Sequence, residues 1–370
     1  MNQKYIDWLL ELTSLPTVTG HEDRVIDWIH RWKDRRKCVD LKTDRYGNIM
    51  LAPRGEGSKR TTRPIVLTAH MDHPAFVVTK MIDDHHVEAD FRGGVRDQYF
   101  VGSKVALHRN GRPQKGTVVE LDAPTKKRPD KHVIVEFDRK TSAESGDVIT
   151  WHLPQARLRG DRFSAPACDD LAGLAAGLAA FDIVKTTGRR PRPDVRLLLT
   201  RAEEVGFIGA IGAVRSGVMP KRSRVIVLEN SRSLTTAPIG DGPIVRVGDR
   251  ISTFNPELTY RIAQIAAEIE KKDASFKWQR KLMDGGACEA TTFAAFDYTA
   301  TCICLPLGNT HNMNEAKKKI DSERISFSDF EGLVRLLVEV GRKLDAPASK
   351  TSLTKRLDDL FESRQGLLSS

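Results

Sequence analysis

Apolar positions recur along the first forty residues at helical spacing. Residues 3–15 and 22–36 each carry an apolar stripe; in the second, Val25, Ile29 and Trp32 share one face while Arg24, Asp27 and Arg31 lie elsewhere. The spacing predicts two amphipathic helices. Ser14 to Gly20, with Pro16 and Gly20, is a turn-rich break between them. Asp44–Ala52 reads as a turn feeding a strand, and the run Ile65-Val66-Leu67 predicts a strand that ends at His70. From about 76 to 158 the texture changes. Short β-type runs at Ala75–Thr79, Tyr99–Leu107, Gly116–Leu121, His132–Phe137 and Val148–Trp151 are separated by Gly, Asp and Pro turns with no intervening helix. That pattern predicts a small antiparallel barrel or sandwich. After Asp161 an alternation of strand and helix returns and continues to about 343, so the β-rich part reads as an insertion into an α/β domain. The tail 351–370 is polar, with one helix-like patch at Leu353–Phe361.

Composition fits this picture. A chain of 370 residues with 40% apolar content can form one large domain and a smaller one. No apolar run approaches the roughly 18–20 residues of a membrane span, and MNQKYIDWLLELTS lacks the layout of a signal peptide. The five cysteines, 38, 168, 288, 302 and 304, contain no C-x-x-C pair and read as free thiols of a cytoplasmic protein. The net charge of +10 raises nucleic acid as a partner. However, the basic residues are scattered, and the densest runs, Arg31–Lys37 and Lys126-Lys127-Arg128, read as lacking interleaved aromatics for stacking on bases. The expectation is a solvated basic surface, with neither nucleic acid nor membrane as a partner.

Four predicted strands stop at a side chain able to hold a metal ion: T-A-H-M-D at 68–72, L-L-L-T-R-A-E-E at 197–204, V-I-V-L-E at 225–229 and C-I-C-L-P-L-G-N-T-H at 302–311. A fifth cluster, Cys168-Asp169-Asp170, opens a helix-like segment. Ligands of an open α/β sheet gather beyond the carboxyl ends of its strands. The five clusters therefore predict one polynuclear metal site. His70 and Asp72, two apart, are expected on the same side of a strand, where Asp72 can accept the second N–H of a metal-bound imidazole. Asp169 can bridge two cations, although acids at helix starts are also common for dipole reasons alone. Gly173, Ala176 and Gly177 read as close packing of that helix on the sheet. Of Glu203 and Glu204, one can bind metal while the other stays free as a general base. Glu229 ends an apolar run, and His311 sits in a polar loop after a strand. His85-His86 read as a surface hairpin tip, whereas His73 lies beside the predicted site.

The ordered set His-x-Asp, Asp-Asp, Glu-Glu, Glu and His resembles the co-catalytic metallopeptidases. It is most similar to the TET or deblocking aminopeptidases, which include glutamyl aminopeptidases, in family forty-two of the metallopeptidases. L-T-S-L-P-T-V-T-G-H-E-D-R-V, A-H-M-D, C-D-D-L-A-G, E-E-V-G-F-I-G-A, R-V-G-D-R-I-S-T-F-N-P and M-D-G-G-A-C-E-A carry the likeness in order over nearly the whole chain. The resemblance implies a mixed central sheet flanked by helices, with a small β-barrel inserted. The catalytic domain would span 1–75 and 159–350, and the insert 76–158. It implies His70, Asp169 and Glu229 around one divalent cation, and Glu204, His311 and the same Asp169 around a second, zinc or cobalt in each case. Glu203 would be the base, Asp72 would orient His70, and Asp170 would follow the bridging ligand through a strained peptide bond. The implied activity is removal of N-terminal residues from peptides by a homo-oligomer.

The chain departs from the family pattern in four places. His73-Pro74 replaces an acid, Leu171 replaces an arginine, Ala287-Cys288-Glu289-Ala290 replaces G-T-D-A, and G-N-T-H lacks the arginine and tyrosine usual before the histidine. These departures leave two other readings open: a metal-dependent deacylase of a small acylated amine, and a non-catalytic scaffold of the same fold.

Overall fold

The Val-, Ile- and Leu-rich runs at 65–70, 195–200, 224–232 and 299–307 lie side by side as neighbouring strands. A continuously apolar strand favours such a position because both of its faces are covered. The computed structural model describes residues 1–54, 63–109, 112–126, 129–186, 193–346 and 353–368. In chain order the strands begin with β1 (Val39–Thr43), β2 (Ile49–Pro53) and β3 (Ile65–His70). Next come β4 (Ala75–Met81), β5 (His86–Arg92), β6 (Lys104–His108), β7 (Gln114–Asp122), β8 (Lys131–Phe137) and β9 (Val148–Trp151). A hairpin, β10 (Arg157–Arg159) and β11 (Arg162–Ala165), leads to β12 (Val195–Thr200), β13 (Arg224–Arg232), β14 (Ile244–Asp249), β15 (Gln279–Met283) and β16 (Thr299–Leu307). The short β17 (Met313–Asn314), β18 (Lys319–Ile320) and β19 (Glu323–Ser326) follow. The helices are α1 (Gln3–Leu12), α2 (Asp23–Asp34), α3 (Leu171–Thr186), α4 (Ile208–Ser216), α5 (Pro256–Lys272), α6 (Glu289–Ala295), α7 (Phe327–Lys343) and α8 (Leu353–Arg364).

Eight strands form one mixed sheet in the order β1-β2-β12-β3-β13-β16-β14-β15. The central four, β12, β3, β13 and β16, are parallel; β2 and β14 join them antiparallel. The period of two sorts the side chains. Ile65, Leu67, Leu197 and Leu199 face a core shared with α1, α2, α3, α5 and α7, whereas Val66, Leu198, Val225 and Val227 face a second core with α4 and α6. Helix α3 is apolar on nearly every side and is buried accordingly. Gly177 packs it closely on the sheet: a Cβ there would lie 2.9 Å from Leu228 Cδ1.

The β-rich stretch closes into a barrel in the order β4-β5-β8-β7-β6-β9. Phe76, Phe91, Phe100 and Trp151 fill its interior with ring centroids 4.7–6.1 Å apart, mostly edge to face. Two local readings differ from this. Tyr99–Leu107 is not one strand, because Asp97–Tyr99 forms a 3-10 turn, Gly102 takes φ +85° and the strand begins at Lys104. The sequence reading also has no strand at His86–Arg92. Burial alternates along it residue by residue, but the Asp83–His86 turn masks the start, with Asp83 accepting the N–H of His85 and His86.

The first two helices are shorter than their apolar stripes. Trp32 does fall within the basic run Arg31–Lys37, but its ring is buried against Trp8 and Phe181 and offers no face for a base. Lys127 and Arg128 lie outside the described residues. Among the described residues no helix is long and apolar enough to cross a membrane.

One buried carboxylate ties the N-terminal helices to α3. Asp182 accepts from Lys4 Nζ at 2.8 Å, Tyr5 Oη at 3.0 Å and Arg36 Nε at 3.0 Å. Burial pushes its carboxyl up, but the Lys4 and Arg36 donors outweigh that and hold it below the usual range. A depressed pKa contributes stability above the unfolded value of about 3.9, and this is lost as pH falls through the folded value. Asp182→Ala is expected to cost about 2–3 kcal/mol at pH 7. The gap between variant and wild type should narrow below about pH 4, which urea denaturation at pH 7 and pH 3 will measure.

Candidate metal centre

The parallel strands present their carboxyl ends at one edge of the sheet, and the chemistry-bearing residues collect there. His70 is the last residue of β3 and pairs in register with Thr200, the last residue of β12. Glu203 and Glu204 follow Thr200 within four residues, Glu229 lies on β13, and His311 is in the loop after β16. Asp169 and Asp170 immediately precede α3 and are joined by a cis peptide bond. Gly173 serves this corner rather than the sheet, since a Cβ there would lie 2.1 Å from Asp170 Oδ1. Asp170 in turn accepts from Asn230 Nδ2 at 2.7 Å.

The donor atoms converge. Those of His70, Glu203 and Glu229 lie within 4.8 Å of one another, as do those of His70, Asp169 and Glu204, and of Asp169, Asp170 and Glu229. Asp169 stands between the two imidazoles: His70 Nε2 is 3.4 Å from Oδ1 and His311 Nε2 is 3.6 Å from Oδ2. His311 Nε2 is also 3.4 Å from Glu204 Oε2.

His70 and Asp72 do not share a strand face, because β3 ends at His70. Instead the chain turns, so that His70 Nδ1 lies 3.1 Å from the Asp72 carbonyl oxygen and 3.5 Å from its carboxylate. The Asp72 carboxylate has further partners. It accepts from Thr19 Oγ1 at 2.6 Å, from the Glu203 N–H at 3.0 Å and from the Glu204 N–H at 3.2 Å.

Two more buried acids act on the same loops and escaped the sequence reading. Glu323, fully buried, accepts the N–H groups of Cys168 at 2.7 Å, Asp169 at 2.9 Å and His311 at 2.7 Å. Glu22 accepts from Gly20 and Ala202 N–H and from Arg201 Nε. These anchors matter because Ala202, Asn309, His311 and Asn312 all have left-handed φ between +51° and +64°. Each such non-glycine residue costs on the order of 1–3 kcal/mol unless its surroundings determine it. A third acid, Glu289 of the stretch that replaces G-T-D-A, is buried at the start of α6 with Thr68 Oγ1 3.4 Å away, and burial pushes its carboxyl up to about 7. Glu22 and Glu289 fall inside stretches that carry the family likeness, but nothing in their spacing marks them as buried acceptors, and Glu323 has no motif at all.

The electrostatics are those of a pocket that demands cations. Burial raises the carboxyls of Glu203 and Glu229 well above the carboxylate range, and Glu204 is pushed up to about 7. Burial opposes charge on the two imidazoles, yet Glu203 beside His70 and Glu204 beside His311 raise both well above their usual range. Asp169 Oδ1 and Glu204 Oε1 are buried with no hydrogen-bond donor. Unpaired carboxylate oxygens and imidazole nitrogens around one point are a donor set for divalent zinc, cobalt or manganese, and the residues present fit such ions.

A cleft of about 400 Å³ opens over this centre, and its lining includes Asp169, Glu203, Glu204 and Glu229 together with Arg232, Arg246 and Arg250. Arg246 is 2% exposed, and its guanidinium donates to Ser231 Oγ at 3.0 Å. Its Nε has no partner, and among the described residues it forms no ion pair.

Comparison with known proteins places this architecture. The aminopeptidase APDkam598 of the archaeon Desulfurococcus kamchatkensis superposes with a TM-score of 0.74 at 21% identity, covering 95% of this chain and 99% of that one. The Pyrococcus horikoshii TET1 peptidase, which assembles into a tetrahedron or a large octahedral shell, gives 0.72 at 21% identity, with 91% and 99% covered. These likenesses establish the fold. A protein of Acetivibrio thermocellus, described provisionally as an aminopeptidase, is 25% identical over 346 residues, which is 90% of this chain and 97% of the relative. The family model for M42 glutamyl aminopeptidase matches residues 47–326. With three quarters of its length matched in this way, the chain belongs to the M42 peptidase family and is a hydrolase of that family.

Proposed function

We propose that the protein is an aminopeptidase that uses two divalent cations, zinc or cobalt, to cleave the first peptide bond of a peptide. The observation that carries this reading is the placing of Asp169, with one carboxylate oxygen facing His70 and the other facing His311. His70, Asp169 and Glu229 would hold one cation, and Asp169, Glu204 and His311 the other. Cations held there supply Lewis acidity toward the scissile carbonyl and lower the pKa of a water toward about 7.

The chain's own residues do the rest. Glu203 takes the proton of the attacking water and returns it to the leaving amine, the two-way proton transfer of a general base that turns general acid. Asp72 fixes Glu203 through the main-chain N–H and orients His70. The carboxylates beside the cleft receive the free α-amino group of the substrate, which makes the enzyme specific for amino termini. Arg246 receives an acidic first side chain, since a buried guanidinium without a carboxylate partner is completed by one. We divide the chain into a catalytic domain, 1–75 and 159–350, an inserted barrel domain, 76–158, that shapes access and assembly, and a tail from 351. The multi-subunit shells of the TET1 relative support a homo-oligomer, and the free cysteines suit a cytoplasmic setting.

The test is release of amino acid from aminoacyl anilides and short peptides, using protein stripped of metal and reloaded with zinc or cobalt. Stripping is expected to abolish turnover and reloading to restore it. Glu203→Gln should lower kcat by about 10²–10⁴-fold with metal content unchanged. Two bound metals with no turnover on any peptide would overturn the reading and point to acylated small molecules. Arg246→Met is expected to lower kcat/KM for glutamyl over alanyl anilide by roughly 10²-fold. Equal losses on both substrates would remove Arg246 from specificity.

A further inference from the structure

A second cavity lies behind the metal centre, where the barrel meets the catalytic body. It has a volume of about 300 Å³. The barrel contributes Ala106, His108, Lys115, Thr150 and Trp151, and the segment Ser14–Thr17 closes the opposite side. Its inner wall includes His73 and Asn312, the layer that backs the metal loop. His73 Nδ1 is 2.6 Å from the Asp169 carbonyl oxygen, His73 Nε2 is 3.0 Å from Asn312 Oδ1, and Asn312 Nδ2 donates to the Pro166 carbonyl at 2.7 Å. The cavity and the substrate cleft share no lining residue.

The chemistry of the walls is one-sided. Arg112, Lys115, His108 and His152 line the cavity, and among the described residues no carboxylate does. The cleft mixes four acids with three arginines, and the chain as a whole carries 49 acidic residues against 59 basic ones, so a wall without acids departs from both. Arg112 and Lys115 are exposed at the mouth. Deeper in, the surface is mostly hydrocarbon, from Leu15, Pro74, Ala106, Trp151 and Leu153. His108 Nε2 lies 2.8 Å from Thr150 Oγ1, and burial, with Arg24 nearby, lowers its pKa to about 4, so at neutral pH this ring is an uncharged polar group.

We propose that this cavity binds a small organic carboxylate with an apolar body, its anionic head held at Arg112 and Lys115 and its hydrocarbon against the inner wall. A cationic mouth over an apolar interior selects one negative charge carried on hydrocarbon, and it disfavours an amine of the same shape. The site goes beyond the peptidase reading and does not depend on it, since its lining includes none of the cation-holding residues.

Octanoate serves as the probe, and octylamine as its charge-reversed counterpart. Each is titrated by calorimetry into the full-length, metal-free protein, so that neither turnover nor metal loading enters the result. Octanoate is expected to bind saturably at one site per chain, with octylamine at least tenfold weaker. Arg112→Glu combined with Lys115→Glu should weaken octanoate at least tenfold; both side chains are exposed, so the variant keeps the fold, and its thermal unfolding verifies this. Absence of saturable octanoate binding, equal binding of octylamine, or undiminished affinity in the double variant would each overturn the proposal.

Discussion

Buried carboxylates that accept main-chain N–H groups are the constraint on which the site depends. Asp72 holds the amides of Glu203 and Glu204, Glu323 holds those of Cys168, Asp169 and His311, and Glu22 holds those of Gly20 and Ala202. A buried main-chain N–H left without a partner is costly, so each of these acceptors satisfies donors that no strand ladder reaches. Here they bind together loops that are far apart in sequence and that contain left-handed, non-glycine residues. The sheet delivers His70 and Glu229 at fixed heights, but the loops bearing Glu204, Asp169 and His311 have no ladder to hold them. Side-chain acceptors take the ladder's place.

Much of the fold could be read from spacing. The parallel strands are legible because both faces are buried and the runs are continuously apolar, and α2 because Val25, Ile29 and Trp32 share a stripe. The gathering of His70, Asp169, Glu204, Glu229 and His311 is legible for a related reason: a charged group that ends an apolar run has few places to go other than the sheet edge. What stayed hidden has no period. Glu323 and Glu22 look like surface charges, and only the packed structure reveals that each lies against the N–H groups of other loops. Gly173 reads as a packing glycine, yet the atom it makes room for is a carboxylate oxygen of its own helix start. Strand β5 alternates cleanly but begins inside an acidic turn, which conceals where the alternation starts.

The substrate cleft and the second cavity differ in the charges that line them. Toward the cleft, carboxylates crowd together. Toward the second cavity, no carboxylate appears among the described residues. His73, Asn312 and the Asp169 main chain form a layer joined by short hydrogen bonds. A layer held this way is stiff, because moving one member breaks contacts on both sides.

The Asp72 carboxylate carries an implication for how such a protein can change over evolutionary time. Glu203 and Glu204 hang by adjacent amides from its two oxygens. Tilting one of these glutamates shifts the other, so a drift that retunes proton transfer also alters how the neighbouring side chain meets its ion. Lineages can change the arginines that line the cleft without this conflict. Diversification is thereby steered toward the choice of substrate and away from the chemistry itself.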